Sequence, residues 1–139
     1  MKILSDVYDQ IIQCPSVPPE KGGILGVKNA VVCSCCFDNN LSQTNSAVYI
    51  PNVDFLNAKI REWEKKGITF GGIFHSHPKN QPELSADDIE YIKLIFQAMP
   101  TSIKTLYFPI VLPNVALVSF KVINQEDAVH ILEDKIKII

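Results

Sequence analysis

The sequence predicts an α/β or α+β sandwich, with about three helices flanking one mixed central β-sheet, in a single domain over residues 1–139. Two observations lead there. Short apolar, β-prone runs alternate with stretches of helical apolar spacing, so strands are interrupted by helices along the whole chain. The 139 residues are 47% hydrophobic, which argues against disorder and suffices for one core. No internal repeat and no linker divides them.

The elements follow in order. Ile3, Leu4, Val7, Tyr8, Ile11 and Ile12 recur at helical spacing, which predicts an amphipathic helix ending before Pro15. Residues 15–21 form a loop that carries Glu20. Residues 22–28 and 30–37 read as two strands joined tightly near Asn29, followed by a polar loop over residues 38–45. Residues 47–50 predict a short strand stopped by Pro51. Val53, Leu56, Ile60 and Trp63 would line one face of a second helix, with Gly67 where a terminating glycine belongs. Trp63 reads as core, and Arg61, Glu62, Glu64, Lys65 and Lys66 as a solvated face.

The run Ile68-Thr69-Phe70-Gly71-Gly72-Ile73-Phe74 predicts a buried strand. A third helix spans residues 85–98, burying Ile89, Ile92, Ile95, Phe96 and Met99, and Pro100 closes it. Residues 106–112 and 115–123 read as strands turning at Pro113-Asn114. The tail over residues 128–139 leans towards strand, with His130 an unremarkable surface or edge residue.

The most informative stretch is His75-Ser76-His77-Pro78, followed by Ser85-Ala86-Asp87-Asp88. Side chains on a strand repeat every two residues, so His75 and His77 project to one face. Pro78 lacks an N–H and ends regular pairing. Two imidazoles on one face and a carboxylate from a helix start make a three-ligand metal site, with a fourth position left for water. Ser85-x-x-Asp88 also fits a capping box, in which both side chains satisfy first-turn N–H groups. Asp87 competes with Asp88 by adjacency, although neighbours on a helix point about 100° apart and only one can face a metal.

Taken together, these residues resemble the JAMM metallopeptidase family, or MPN domain. Its pattern is a glutamate and then a distant H-[ST]-H-x7-S-x2-D. His75-Ser76-His77, Ser85 and Asp88 fit it without a gap, and Glu20 precedes the Gly-rich apolar run Gly22-Gly23-Ile24-Leu25-Gly26 as the family's glutamate does. The resemblance covers nearly the whole chain. It implies a central sheet flanked by helices, similar to the cytidine-deaminase architecture. It also implies that His75, His77 and Asp88 bind Zn²⁺ with water as fourth ligand, and its spacing selects Asp88 over Asp87. Glu20 would be the general base and Ser85 the donor to the oxyanion. The chain looks like the small prokaryotic type, without room for the insertions of deubiquitinating members.

Composition excludes other classes. Net charge is −2 and no basic block appears, so nucleic acid and anionic membrane are not expected partners. No apolar run reaches the roughly 18 residues of a membrane span. Acid at Asp6 comes too early for a secretory signal, and the default location is the cytoplasm. Cys33-Ser34-Cys35-Cys36 is formally a C-x-x-C, yet it lies in a strand and no second pair closes a structural zinc site. With Cys14, these read as buried free thiols of a reducing compartment.

The expectation is therefore a zinc-dependent peptidase or isopeptidase. It would hydrolyse an amide at the C-terminus of a ubiquitin-like or sulfur-carrier-like protein with a Gly-Gly tail. Two rivals stand beside it: a non-catalytic MPN scaffold, and a thiol or metal-handling protein built on Cys33, Cys35 and Cys36.

Overall fold

A strand pair around a two-residue turn opens the main sheet. Strand β2 (Gly22–Lys28) and strand β3 (Val31–Phe37) run antiparallel, with Gly23 opposite Phe37 and Lys28 opposite Val31. The turn residues Asn29 and Ala30 both take positive φ, 53° and 63°, the backbone of a two-residue hairpin whose twist matches its strands. The computed structural model describes residues 1–14, 20–39, 49, 51–78, 80–126 and 128–139. The strand expected over residues 47–50, most of the polar loop and most of the loop before Glu20 lie outside them; Tyr49 is described and belongs to no strand.

The described elements are β1 (Lys2–Ile3), α1 (Ser5–Ile12), β2, β3, α2 (Val53–Glu64), β4 (Thr69–Ser76), α3 (Ala86–Ala98), β5 (Thr105–Tyr107), β6 (Ile110–Leu112), β7 (Ala116–Gln125), β8 (Ala128–Asp134) and β9 (Lys137–Ile138). They form one mixed nine-stranded sheet in the order β5-β7-β6-β4-β2-β3-β1-β9, with β8 paired to β7. This is the mixed sheet with three helices that the sequence predicts.

Alternation along the inner strands divides the core between two faces. Leu25 and Phe74 pack with Ile3, Val7 and Ile11 on the α1 side. Ile24 and Ile73 pack with Leu56 and Trp63 of α2 and Ile92 and Phe96 of α3 on the other. His75 lies two residues after Ile73 and so faces the α2–α3 side. Among the described residues, no helix is long and apolar enough to cross a membrane.

Several boundaries differ from expectation for physical reasons. Ile3 belongs to β1, paired to β3 and β9, so the first helix starts only at Ser5. Val53 sits at the exposed start of α2, 56% accessible, and only Leu56 and Trp63 are buried on that helix. On α3 the buried residues are Ile92 and Phe96, while Ile89, Ile95 and Met99 are half-buried. Gly67 takes φ 73°, and the N–H groups of Gly67 and Ile68 reach the carbonyls of Glu64 and Trp63, which closes α2 as expected.

The single strand expected over residues 106–112 is split at Pro109. Tyr107 stands opposite Lys121 and Ile110 opposite Val118, so both pieces keep one register along β7. Pro109 has no N–H to complete the ladder. Its carbonyl instead accepts from the His75 N–H at 3.2 Å.

Candidate metal centre

Glu20, His75, His77 and Asp88 come together at the end of β4. The chain reaches them from three places: the approach to β2, the end of β4, and the first turn of α3. Gly22 stands opposite His75 in the β2–β4 ladder, which puts the residues just before β2 beside the histidine pair. Ser76 fixes that approach: its hydroxyl accepts from the Lys21 N–H at 2.8 Å, and its own N–H donates to the Lys21 carbonyl at 2.7 Å. Ser76 is fully buried on the face opposite the histidines. His77 lies just beyond β4, yet its N–H still donates to the Val111 carbonyl at 2.9 Å, so the strand-like alternation runs through it.

The two Nε2 atoms of His75 and His77 are 2.8 Å apart. The carboxylate of Asp88 spans them, with Oδ1 at 3.2 Å from His75 Nε2 and Oδ2 at 3.3 Å from His77 Nε2. Glu20 Oε2 lies 3.5 Å from His77 Nε2, and one donor atom each from Glu20, His75 and His77 lies within 4.8 Å of the other two. Nitrogen and oxygen ligands about 2.0–2.1 Å from a tetrahedral zinc stand about 3.3 Å from one another. The two histidine–Asp88 spacings match that value, each through a different carboxylate oxygen, while the ring nitrogens stand closer at 2.8 Å, so the donor chemistry suits such an ion.

The surroundings orient these atoms for a cation. His77 Nδ1 is 2.9 Å from the carbonyl of Gln81, which can only accept, so Nδ1 carries a proton and Nε2 faces the site. Burial favours the neutral His77 ring, but the Asp88 carboxylate and the Gln81 carbonyl outweigh it and push its pKa up. Burial would likewise raise Asp88, yet hydrogen bonds from His75 and His77 hold it well below the usual carboxylate range. Glu20 differs: burial pushes its carboxyl up, against the attraction of His75, His77 and the Tyr49 N–H.

Ser85 and Asp88 form the capping box of α3. Ser85 Oγ accepts from the Asp88 N–H at 3.1 Å, and Asp88 Oδ2 accepts from the Ser85 N–H at 2.9 Å. The cap thus holds the carboxylate that spans the rings. Asp87 is exposed in the same first turn.

Sequence reasoning missed Tyr49, Gln81 and the anchoring by Ser76. The Tyr49 N–H donates to Glu20 Oε1 at 3.3 Å and its hydroxyl donates to Asp38 at 2.7 Å. Only the hydroxyl residue between the two histidines carried any signal. The described cysteines are all free; Cys14 is buried, but Cys33, Cys35 and Cys36 are only half-buried, which corrects the expectation of buried thiols. None of them lies in the group of possible metal ligands.

A family model described as prokaryotic homologs of the JAB domain matches residues 6–124. No curated protein matches the chain. Among solved structures, a protein from Desulfitobacterium hafniense shares 21% identity at a TM-score of 0.63, covering 99% of this chain and 91% of its own. A protein from Salinibacter ruber shares 23% identity at a TM-score of 0.58, with coverages of 99% and 91%. A JAB1/MPN domain protein from Archaeoglobus fulgidus shares 16% identity at a TM-score of 0.56, covering 100% of this chain and 99% of its own. At these identities the likeness is one of fold.

Proposed function

The chain belongs to the family of prokaryotic homologs of the JAB domain, and on that premise we propose that it is a zinc-dependent peptidase or isopeptidase. Its substrate would be an amide at the C-terminus of a ubiquitin-like or sulfur-carrier-like protein. The observation that carries this reading is the convergence of His75, His77 and Asp88 at 2.8–3.3 Å with Glu20 beside them.

His75, His77 and Asp88 would hold the metal. A zinc ion held there would supply Lewis acidity and make the attacking water easier to deprotonate. Glu20 takes a proton from the attacking water on Oε2, the oxygen facing His77, and returns it to the leaving amine. Its Oε1 stays fixed by the Tyr49 N–H. A carboxyl raised by burial is a stronger base than an ordinary glutamate, which suits this task. Ser85 Oγ uses a lone pair in the cap, so its hydroxyl proton is free to be donated to the substrate carbonyl oxygen as negative charge develops. A Gly-Gly tail suits the approach because glycine lets the backbone come close to the reacting groups.

The tail is not expected to add to β4 as a strand, since β4 is paired on both sides, to β2 and to β5 and β6. It would instead enter past the loop residues that border the cavity, Tyr49, Pro51 and Gln81. The four free thiols accord with a reducing, cytoplasmic setting.

The test is cleavage of ubiquitin-like proteins fused through their C-terminus to a short peptide or a lysine side chain. Zinc-loaded wild type should cleave and lose activity to a chelator. Glu20→Gln should keep its zinc yet lose about 10²–10⁴-fold in turnover. Equal cleavage by both removes Glu20 from the mechanism, and no cleavage by wild type favours a scaffold role.

A further inference from the structure

The cavity that holds the candidate metal centre is larger than the chemistry at its polar end requires. It encloses about 630 Å³, within the range of sites that surround a small ligand. Of its polar lining, Glu20, His75, His77, Ser85 and Asp88 belong to the candidate site, and Gln81 and Asp87 also border it. The remaining wall is largely apolar, formed by Tyr49, Ile73, Leu84, Tyr91, Ile92 and Phe108. A glycine tail offers only backbone and would leave this wall uncovered.

The wall is held in place. Ile92 and Phe108 are core residues, 2% and 3% accessible. Tyr49 is fixed by its hydroxyl bond to Asp38 at 2.7 Å, and the same Asp38 oxygen accepts from the N–H of Asn52, the N-cap of α2, at 2.8 Å. Its ring lies against Gly22, where an added Cβ would come within 2.6 Å of it. A pre-formed wall gains affinity because little has to be ordered on binding. Tyr91, 37% accessible, stands at the more open part. Charge narrows the occupant of the metal-free protein further: Glu20, Asp87 and Asp88 all border the cavity, so an acidic side chain would be repelled.

We propose that the substrate carries a large uncharged apolar or aromatic side chain on the leaving-amine side of the scissile amide, beyond the glycine tail, and that this wall receives it. The proposal rests on the amide-hydrolase reading of the site and names the substrate class within it. Moving a leucine- or phenylalanine-sized side chain out of water is worth a preference over glycine of about 10- to 150-fold.

The experiment titrates the full-length isotope-labelled protein, with and without zinc, with N-acetyl amides of phenylalanine, leucine, glycine and aspartate, following backbone NMR shifts. The phenylalanine and leucine amides should bind at least about 10-fold more tightly than the glycine amide in both metal states. Shifts should centre on Leu84, Tyr91 and Ile92, and without zinc the aspartate amide should bind no better than glycine. Tyr91→Ala and Leu84→Ala, both away from the deep core, should each weaken the phenylalanine amide several-fold. Equal binding of the glycine and phenylalanine amides overturns the proposal. So do shifts that fall elsewhere, or wild-type binding by both variants. Selective binding by a protein that neither retains zinc nor cleaves amides upholds the pocket and rejects the hydrolase reading alone. Efficient cleavage with no preference for an apolar neighbour upholds the hydrolase and rejects the pocket.

Discussion

The Ser85 lone pair caps α3 by accepting from the Asp88 N–H; the proposed mechanism assigns its proton to the substrate oxygen. Ser85→Ala should therefore lose about 1 kcal/mol of stability and about 10²–10³ in turnover, while keeping its metal. A drop in melting temperature with unchanged turnover would make capping its whole role. Cys35 bears on the thiol-based rival. Burial pushes its thiol up to about 11, with Cys36 and Asp6 adding to the rise. The thiolate is the reactive form, so alkylation should be slow at neutral pH and climb about tenfold per pH unit until about pH 11. Rapid modification of Cys35 at pH 7, read by mass spectrometry, would contradict this and revive a redox role.

At the scale of elements, most of the fold was legible because period and turn chemistry agree. The β2–β3 hairpin, α2 with its glycine terminus, and the capped start of α3 all follow from local sequence. The misses share a cause in non-local pairing. Ile3 continues the apolar spacing of α1, but its backbone is taken by β3 and β9. Pro109 breaks an apolar run without moving its register, because β7 aligns both halves. The same holds for the site. His75, His77, Ser85 and Asp88 are readable from spacing, whereas Tyr49 and Ser76 act on Glu20 and its neighbour across 29 and 55 residues of chain. The hairpin also offers a stability test. Ala30 takes φ 63°, which costs a residue with a Cβ about 1–2 kcal/mol. Ala30→Gly relieves that strain and gives part of it back in unfolded-state entropy. It should raise stability by a few tenths to about 1 kcal/mol, seen as a higher urea midpoint; a lower midpoint would mean that the turn has a different backbone.

For the whole molecule, the sheet separates two tasks. One face packs α1 and carries Ser76, which anchors the chain before Glu20; the other packs α2 and α3 and presents the histidines. Three segments distant in sequence thus deliver one set of donor atoms, and loss of any one ligand should leave the fold while emptying the centre. The central claim is that His75, His77 and Asp88 hold a zinc ion. Its most direct test is the metal content of purified wild type and His77→Ala, measured by elemental mass spectrometry alongside circular dichroism to verify folding. The account predicts about one zinc per wild-type chain and close to none in the folded variant. A wild-type chain that takes up no zinc, or a His77→Ala chain that holds it fully, would contradict the account.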